Sequence, residues 1–280
     1  MAYTKIIKNK LVCSLCPHNC RISEGESGIC FVRRNNKMEL ELPFKGNISA
    51  IAIDPIEKKP LYHFQPGSKI LSIGFLGCNF HCQFCQNYKI SQQYTNINEK
   101  KYTSPKDLIK TVQEQDLNSI AYTYSEPVIH FKYIMECAEL AHKNGIKNVL
   151  ITNGFLNPEP AKELLSLMDG VNVDLKAFTQ SFYSKLGGKI EPVKYFIKLA
   201  SELTHLEVTT LIIPGENDSF KEMSNIANFL SSIDPNIPLH ISSYYPVYKY
   251  KVSSTPKDTV LSLVEKASEV LNYVYPGNIY

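Results

Sequence analysis

From about residue 70, the sequence alternates short apolar runs with longer amphipathic stretches. This alternation predicts repeated βα units around a parallel sheet. The runs are too continuously apolar for a sheet that has one face in water, so we expect both faces to be covered. The predicted strands cover residues 69–75, 119–124, 149–152, 171–175, 206–213, 239–243 and 273–275.

Helix start and stop signals lie between these runs. Ser104, followed by Pro105 and Asp107, predicts a helix start with a serine cap and a proline in the first turn. Gly145 predicts the end of a helix over residues 129–144. Two more helices are predicted to begin near residues 158–160 and 218–219. Because each strand leads into its helix through a short loop, ligand-binding side chains should collect at the carboxyl ends of the strands.

The first 66 residues do not follow this alternation. Residues 11–34 are rich in cysteine, and residues 38–53 read as strand-like segments interrupted at 43–47. We therefore predict a cysteine-rich N-terminal module with short strands over residues 1–66 and an α/β unit over residues 67–280. The boundary should lie near Pro66–Gly67. A chain of 280 residues fits either one α/β barrel or a main domain with a small appendage.

Composition narrows the possible functions. The chain has 30 Lys and Arg against 27 Asp and Glu, and this net charge of +3 gives no strong reason to expect nucleic acid or an anionic membrane as partner. It has no apolar span long enough to cross a bilayer and no signal-peptide core, so we expect a cytoplasmic protein. Eight cysteines in such a chain favour metal or redox chemistry over a disulfide scaffold.

Three of the cysteines lie in one loop after the first predicted strand. Cys78, Cys82 and Cys85 follow the spacing C-x3-C-x2-C. Three thiolates in a tight loop can each bind a different iron of a cubane cluster, which leaves one iron open for a small molecule. A zinc site that uses His81 as fourth ligand would need a strained turn, because His81 adjoins Cys82. Burial of all three cysteines as plain apolar residues is the remaining interpretation.

The loop resembles the signature of the radical S-adenosylmethionine (SAM) superfamily. An aromatic residue, Phe84, precedes the last cysteine, and Cys85-Gln86-Asn87 is similar to the pyruvate formate-lyase activating enzyme branch. Residues 16–20, 54–60, 121–127 and 172–176 resemble the radical SAM member of the AmmeMemoRadiSam system. The resemblance implies that residues 67–280 form a partial, parallel, TIM-like (β/α) barrel.

The same resemblance implies an activity. A 4Fe–4S cluster would cleave SAM reductively to a 5′-deoxyadenosyl radical, with electrons from a donor such as flavodoxin or ferredoxin. The radical would abstract hydrogen from a substrate, either a glycine of a partner protein or a small molecule, RNA or peptide. The non-enzymatic alternative is a zinc-stabilised binding module in which both groups of cysteines are structural.

Side chains at the predicted strand ends are candidates for contacts with SAM. Ser125 and Glu126 lie in the segment that the resemblance assigns to the methionine amino group, although Ser125 could equally be a helix cap. Thr152 and Asn153 could hydrogen-bond a ribose or a carboxylate, or form a plain turn. The full set of candidate SAM contacts is Phe84, Ser125, Glu126, Thr152, Asn153, Asp174, Lys176 and His240.

Two of these predictions concern strand side chains. Asp174 and Lys176 point to the same side of their strand, and the resemblance assigns them to the SAM carboxylate. The alternative is a surface ion pair that contributes about 0–1 kcal/mol. The resemblance places His240 at the ribose or adenine, whereas a lone histidine in an apolar strand is more often a core residue.

Four further cysteines lie near the N-terminus. Cys13, Cys16, Cys20 and Cys30 follow the spacing C-x2-C-x3-C-x9-C in a segment too small to build its own core. A metal would hold this segment together, and both tetrahedral zinc and a second iron–sulfur cluster accept four thiolates. Pro17, His18 and Arg21 do not decide between the two; we slightly favour structural zinc, whereas a cluster would imply an electron relay.

Overall fold

The computed structural model describes residues 3–93 and 102–279. Within them the strands are β1 (Thr4–Ile7), β2 (Lys10–Cys13), β3 (Arg21–Ile22), β4 (Arg34–Asn36), β5 (Glu39–Glu41), β6 (Ala50–Pro55), β7 (Lys69–Gly74), β8 (Ser119–Thr123), β9 (Lys147–Thr152), β10 (Gly170–Asp174), β11 (His205–Ile212), β12 (Leu239–Ser243) and β13 (Val274–Gly277). The helices are α1 (Tyr88–Ser91), α2 (Pro105–Glu114), α3 (Phe131–Lys143), α4 (Pro158–Leu165), α5 (Gln180–Lys185), α6 (Ile190–Leu203), α7 (Phe220–Ser231) and α8 (Lys257–Ala267). Single 3-10 turns cover Ile56–Lys58 and Pro127–His130.

The large sheet has eight strands in the order β13-β12-β11-β10-β9-β8-β7-β6. Strands β7 to β13 pair in parallel, and β6 pairs antiparallel with β7. Because β6 and β13 remain edges, the sheet is an open, partial (β/α) barrel, as predicted. Strand β6 lies on the N-terminal side of the boundary predicted near Pro66–Gly67 and is nevertheless part of this sheet.

Local signals in the sequence explain where the elements begin and end. The Ser104 side chain accepts from the Asp107 N–H while Asp107 accepts from the Ser104 N–H, so α2 starts with a full capping box. Gly145 adopts a φ of +71° after α3, as expected of a glycine that ends a helix. Helix α3 starts two residues later than predicted, because the 3-10 turn that opens at Pro127 comes first.

Helices cover the outside of the sheet with apolar stripes. Leu108, Ile134, Leu164 and Ile197, on α2, α3, α4 and α6, are fully buried. Both faces of the parallel strands are thus out of water, which explains their continuous hydrophobicity.

Residues 56–66, here called the mouth segment, cross the amino-terminal end of the barrel. Ile56 and Leu61 pack inside against Ile70, Ala121 and Val149 of β7, β8 and β9. Near the other edge, the His63 ring hydrogen-bonds to Tyr275 on β13 over 2.7 Å. The segment therefore spans the gap between the two edge strands at this end.

The N-terminal module consists of two small antiparallel sheets, β1-β2-β3 and β4-β5. It docks on the carboxyl-end side of the barrel, where the Asn157 amide donates to the Ser14 carbonyl over 2.8 Å and Tyr3 donates to Glu163. None of the described helices is long and apolar enough to cross a bilayer.

Candidate functional site

The loop with Cys78, Cys82 and Cys85 follows β7 at the carboxyl end of the barrel. All three side chains are free thiols. Burial, opposed by the charge of Lys176 and helped by that of Cys85, raises the pKa of Cys82 to about 12. Three neighbouring thiolates in a buried loop are stable only with positive charge between them, so the loop fits an iron–sulfur cluster.

The zinc alternative for this loop has little support in the contacts of His81. Its Nδ1 atom lies 3.0 Å from Gln92 Oε1, and its backbone N–H donates to the Leu186 carbonyl. Within residues 3–93 and 102–279, no three His, Cys, Asp or Glu side chains form a site for a single metal ion. The thiolates of a cubane bind separate irons and do not need to meet at one point.

Two buried asparagines hold the cysteine loop against the end of β9. The Asn153 amide donates to Asn79 Oδ1 over 2.8 Å, and Asn79 in turn donates to the Phe155 carbonyl over 2.9 Å. Asn153 also points its amide nitrogen at Cys78 Sγ over 3.9 Å. Asn153, predicted as a ligand of SAM, therefore positions the loop in this structure.

Glu126 lies just beyond β8 and is only 2% exposed. Its carboxylate accepts from the Thr152 hydroxyl (2.6 Å), the Asn153 N–H (2.8 Å) and the Val128 N–H (3.3 Å). Burial raises its pKa to about 7, although these donors oppose the shift. Glu126 joins the ends of β8 and β9 and caps the 3-10 turn, the role that the sequence suggested for Ser125.

Ser125 leaves a polar atom for a ligand. Its buried Oγ has no hydrogen-bond partner among the described residues. The preceding residue, Tyr124, has a φ of +68°, which is unusual for a non-glycine residue, and its carbonyl accepts from the Asn87 amide. An orphaned hydroxyl next to the cysteine loop fits the predicted contact of this segment with SAM.

Asp174 and Lys176 form the predicted pair. Lys176 Nζ lies 2.9 Å from Asp174 Oδ2, with Lys176 more deeply buried than Asp174. Burial would lower the pKa of Lys176, but the charges of Asp174 and Cys82 outweigh it and raise the pKa above its ordinary value. Both charges act on Cys82, so the pair lies beside the cysteine loop rather than on a remote surface.

The loop beyond β11 fixes the backbone of this pair. The Asn217 side chain donates to the Lys176 carbonyl and to the Leu211 carbonyl, each over 2.8 Å. It also accepts from the Ile213 N–H over 2.7 Å. Asn217 thereby joins the ends of β10 and β11.

Phe84 borders a cavity of about 310 Å³ on the outer side of the cysteine loop. Its ring lies 6.0 Å from Phe182 and 6.3 Å from Tyr250, which also line the cavity. The Tyr250 N–H donates to the Gln83 carbonyl, so the segment after β12 fixes one wall. The ion pair of Lys185 with Glu216 also lines the cavity.

His240 contacts Glu207 and Tyr62 rather than the other side chains predicted to bind SAM. It lies near the amino end of β12, with Nε2 2.6 Å from Glu207 Oε2 and its ring 4.6 Å from that of Tyr62 in the mouth segment. Its predicted contact with SAM stays a prediction. The ring is buried and hydrogen-bonded, as expected of a histidine that belongs to the core.

A comparison with family models identifies the fold's relatives. The model described as Radical SAM superfamily matches residues 72–230, more than half of the chain. This chain belongs to the radical SAM superfamily. The match includes the cysteine loop and the strand ends that carry Ser125, Asn153 and Lys176.

Several relatives of this radical SAM protein are known. An uncharacterised protein of Methanocaldococcus jannaschii is 38% identical over 284 residues, covering 100% of this chain and 84% of the relative. A pyruvate formate-lyase-activating enzyme of Staphylococcus epidermidis is 22% identical, with coverages of 64% and 77%. A 7-carboxy-7-deazaguanine synthase of M. jannaschii is 24% identical, with coverages of 73% and 86%. The crystal structure of QueE from Escherichia coli shares the fold, with a TM-score of 0.53, 15% identity and coverages of 85% and 97%.

The radical SAM core also contains an ionic group that our sequence analysis did not assign. Lys59, in the mouth segment, is 4% exposed, and its Nζ lies 2.8 Å from Asp54 Oδ2 on β6. The Tyr124 hydroxyl donates to the same oxygen over 3.0 Å. Burial would raise the pKa of Asp54, but the bonds from Lys59 and Tyr124 hold it below its ordinary value. The available signal was the resemblance of residues 54–60 to radical SAM proteins.

The N-terminal cysteines lie close to one another and to the cysteine loop. Burial, together with the charges of Cys30, Cys13 and Cys20, raises the pKa of Cys16 to about 12. Three of the four are buried. No sequence pattern indicated that this module would pack against the loop, because the contact is between residues far apart in the chain.

Proposed function

We propose that this chain binds a 4Fe–4S cluster through Cys78, Cys82 and Cys85, binds SAM beside it, and uses the two for hydrogen abstraction. Membership of the radical SAM superfamily supports radical chemistry with SAM. The observation that carries the proposal is the placement of these thiols beside Asp174, Lys176 and the unpartnered Ser125 hydroxyl.

Bound at this site, a reduced cluster and SAM supply a 5′-deoxyadenosyl radical together with free methionine. Each side chain binds the part of SAM whose charge or polarity is complementary to its own. Lys176 offers an ammonium to the SAM carboxylate, and Ser125 Oγ accepts from its amino group. Asp174 keeps Lys176 charged and oriented over a 2.9 Å contact. Phe84 offers an aromatic face for the adenine ring.

Cluster loss tests this proposal. Anaerobically reconstituted wild-type protein with dithionite and SAM should release 5′-deoxyadenosine, and its reduced paramagnetic resonance spectrum should change when SAM is added. Cys82→Ala should lose both signals. Cys137→Ala, which removes a buried cysteine on α3, is the matched control and should keep both. SAM cleavage by Cys82→Ala at the wild-type rate would contradict the proposal.

The first candidate substrate is a glycine in the backbone of a partner protein. The relative named pyruvate formate-lyase-activating enzyme supports this choice. An open barrel could admit a partner's loop. Incubation of the active enzyme with such a partner should give a glycyl-radical resonance signal. Deuterium from a partner labelled at glycine should appear in 5′-deoxyadenosine. A partner that gives neither result excludes this route for that protein.

A small polar molecule is the second candidate. It is favoured by the buried Lys59–Asp54 pair and the Tyr124 hydroxyl, which reach inside the barrel. Such groups could bind an anionic or hydrogen-bonding substrate. Substitution Lys59→Met should then raise the KM for that substrate while SAM cleavage without substrate continues. An unchanged KM would argue for the protein substrate.

The electron should come from a low-potential donor protein such as flavodoxin or ferredoxin. Reduction of the cluster requires one electron for each SAM that is cleaved. Replacing dithionite by a reduced flavodoxin should therefore sustain 5′-deoxyadenosine formation. Failure with both flavodoxin and ferredoxin would exclude these two donors.

A further inference from the structure

The N-terminal cysteines lie close together in the module, where the charges of Cys13, Cys20 and Cys30 all act on Cys16. Cys13 ends β2, and its N–H donates to the Cys20 carbonyl over 2.9 Å, which folds the intervening turn back on itself. A Cβ placed at Gly28 would lie 3.5 Å from Cys20 Sγ, so the loop that carries Cys30 packs on that sulfur. All four are thiols rather than halves of a disulfide.

A buried guanidinium completes this group. Arg33 is 3% exposed, and its Nε donates to Cys13 Sγ over 3.2 Å. Arginine keeps its charge in proteins, so its burial here needs anionic partners, which ligand thiolates provide. A hydrogen bond from this arginine to a ligand sulfur would stabilise the extra negative charge that an iron–sulfur cluster carries when it is reduced.

The module contacts the cysteine loop on both sides of Cys78. Gly77 has a φ of +84°, and a Cβ there would lie 2.8 Å from the Cys30 carbonyl oxygen and 2.7 Å from Val32 Cγ1. On the other side, His18 Nε2 lies 2.7 Å from the Asn79 carbonyl oxygen. Cys30 therefore contacts Gly77 on one side of Cys78, and His18, which lies between Cys16 and Cys20, contacts Asn79 on the other.

We infer that Cys13, Cys16, Cys20 and Cys30 hold a second iron–sulfur cluster that passes electrons to the cluster at Cys78, Cys82 and Cys85. A structural zinc would stabilise the module wherever it docked. Contact on both sides of Cys78, with a buried arginine at a ligand sulfur, suits a centre that changes charge. In each transfer the N-terminal cluster would lose one electron and the cluster at Cys78, Cys82 and Cys85 would gain it. A low-potential donor protein would then reduce the N-terminal cluster again.

This inference rests on the proposed function, and the two can fail separately. Full-length protein is purified anaerobically and reconstituted with iron and sulfide. Iron, sulfide and zinc are counted in wild type, Cys30→Ala, Cys82→Ala and the control Cys137→Ala. We expect wild type and the control to hold about twice the iron of either of the other variants. The reduced wild type should show two resonance signals, of which SAM changes only one.

The rate of reduction by flavodoxin distinguishes an N-terminal cluster that passes electrons from one that takes no part in electron transfer. Cys30→Ala should keep the SAM-responsive signal and cleave SAM with dithionite, but its reduction by flavodoxin should slow at least ten-fold. One zinc per chain, with equal iron in Cys30→Ala and wild type, would overturn the inference and leave the proposed function intact. If Cys30→Ala does not fold, the two wild-type signals decide: a single signal overturns the inference. Absence of any SAM-responsive signal counts against the proposed function itself.

Discussion

Glu126 commits both carboxylate oxygens to the protein. Three donors from Thr152, Asn153 and Val128 reach it in a site closed to water. A buried carboxylate with this many donors acts as a clamp between strand ends, and the donors offset part of the cost of burying its charge. Ser125, whose buried hydroxyl has no hydrogen-bond partner among the described residues, stays the predicted contact for the SAM amino group.

Replacing Glu126 should therefore destabilise the fold before it affects chemistry. Glu126→Ala leaves three donors without an acceptor, so we expect a loss of about 3 kcal/mol in the free energy of unfolding. Glu126→Gln keeps one acceptor oxygen and should lose less. Urea unfolding followed by circular dichroism measures both. Equal losses in the two variants would contradict the clamp role.

The pKa of Glu207 is shifted in the opposite direction to that of Glu126. It accepts from His205, His240 and two backbone N–H groups of the mouth segment, and its side chain is fully buried. Burial would raise its pKa, but these donors lower it to about 2. A lowered pKa in the folded state adds stability above the ordinary value of 4.5, and this stability is lost as pH falls from 4.5 towards 2.

The measurement for Glu207 is the pH dependence of unfolding. Metal-free wild type should lose about 3 kcal/mol between pH 5 and pH 2 through this group. Glu207→Gln should show a smaller loss over the same range, although it should be less stable at neutral pH. The exposed Glu269→Gln is the control and should follow wild type. Parallel pH curves for Glu207→Gln and wild type would exclude this contribution.

At the scale of elements, short polar signals decide where the helices begin. Helix α2 has both bonds of a capping box and a proline in its first turn. Helix α7 begins after Ser219, whose side chain accepts from the Glu222 N–H. Such caps satisfy N–H groups that lack partners within the helix, which makes them visible in the sequence.

The cap of α2 gives a direct test. Ser104→Ala removes the acceptor for the Asp107 N–H and should cost about 1 kcal/mol of unfolding free energy. Ser104→Asp should keep most of the stability, because aspartate is also a good cap. The exposed Ser254→Ala serves as control. Differential scanning calorimetry measures all three, and a Ser104→Ala variant as stable as the control would contradict the capping argument.

At the scale of the molecule, the barrel is open at its edges and crossed at its amino end. The mouth segment reaches from β6 to β13 and meets strand starts along the way. Phe64 packs on Gly170, the first residue of β10, and lies near His205, the first residue of β11. The cysteine loop lies at the opposite, carboxyl end of the barrel, so we expect a substrate to enter from that end.

Phe64 should hold this closure in place. Phe64→Ala removes the ring that packs on Gly170. We expect the free energy for local opening of residues 56–66 to fall by about 3 kcal/mol. Hydrogen exchange read by mass spectrometry should show faster exchange there and little change in α6. Tyr195→Ala, on the exposed face of α6, is the control. Uniform acceleration throughout the chain would mean that the segment unfolds only with the whole protein.

Much of this protein is determined by local sequence. The predicted strands lie within two residues of those observed, because continuous β-branched runs suit strands buried on both faces. The spacing of Cys78, Cys82 and Cys85 indicated the cluster loop, because ligands within one tight loop need no tertiary information. Asp174 and Lys176 were paired correctly, since alternation along a strand is a local rule.

Only the tertiary structure decided how distant segments meet. The hydrogen bond of Thr152 to Glu126, the contact of His240 with Tyr62, and the hydrogen bond of Tyr124 to Asp54 each join residues at least 26 positions apart in the chain. Above all, the sequence shows two groups of cysteines but not their adjacency. The contact of Cys30 with Gly77 depends on how the module docks, and docking is set by surfaces that exist only after the barrel has folded.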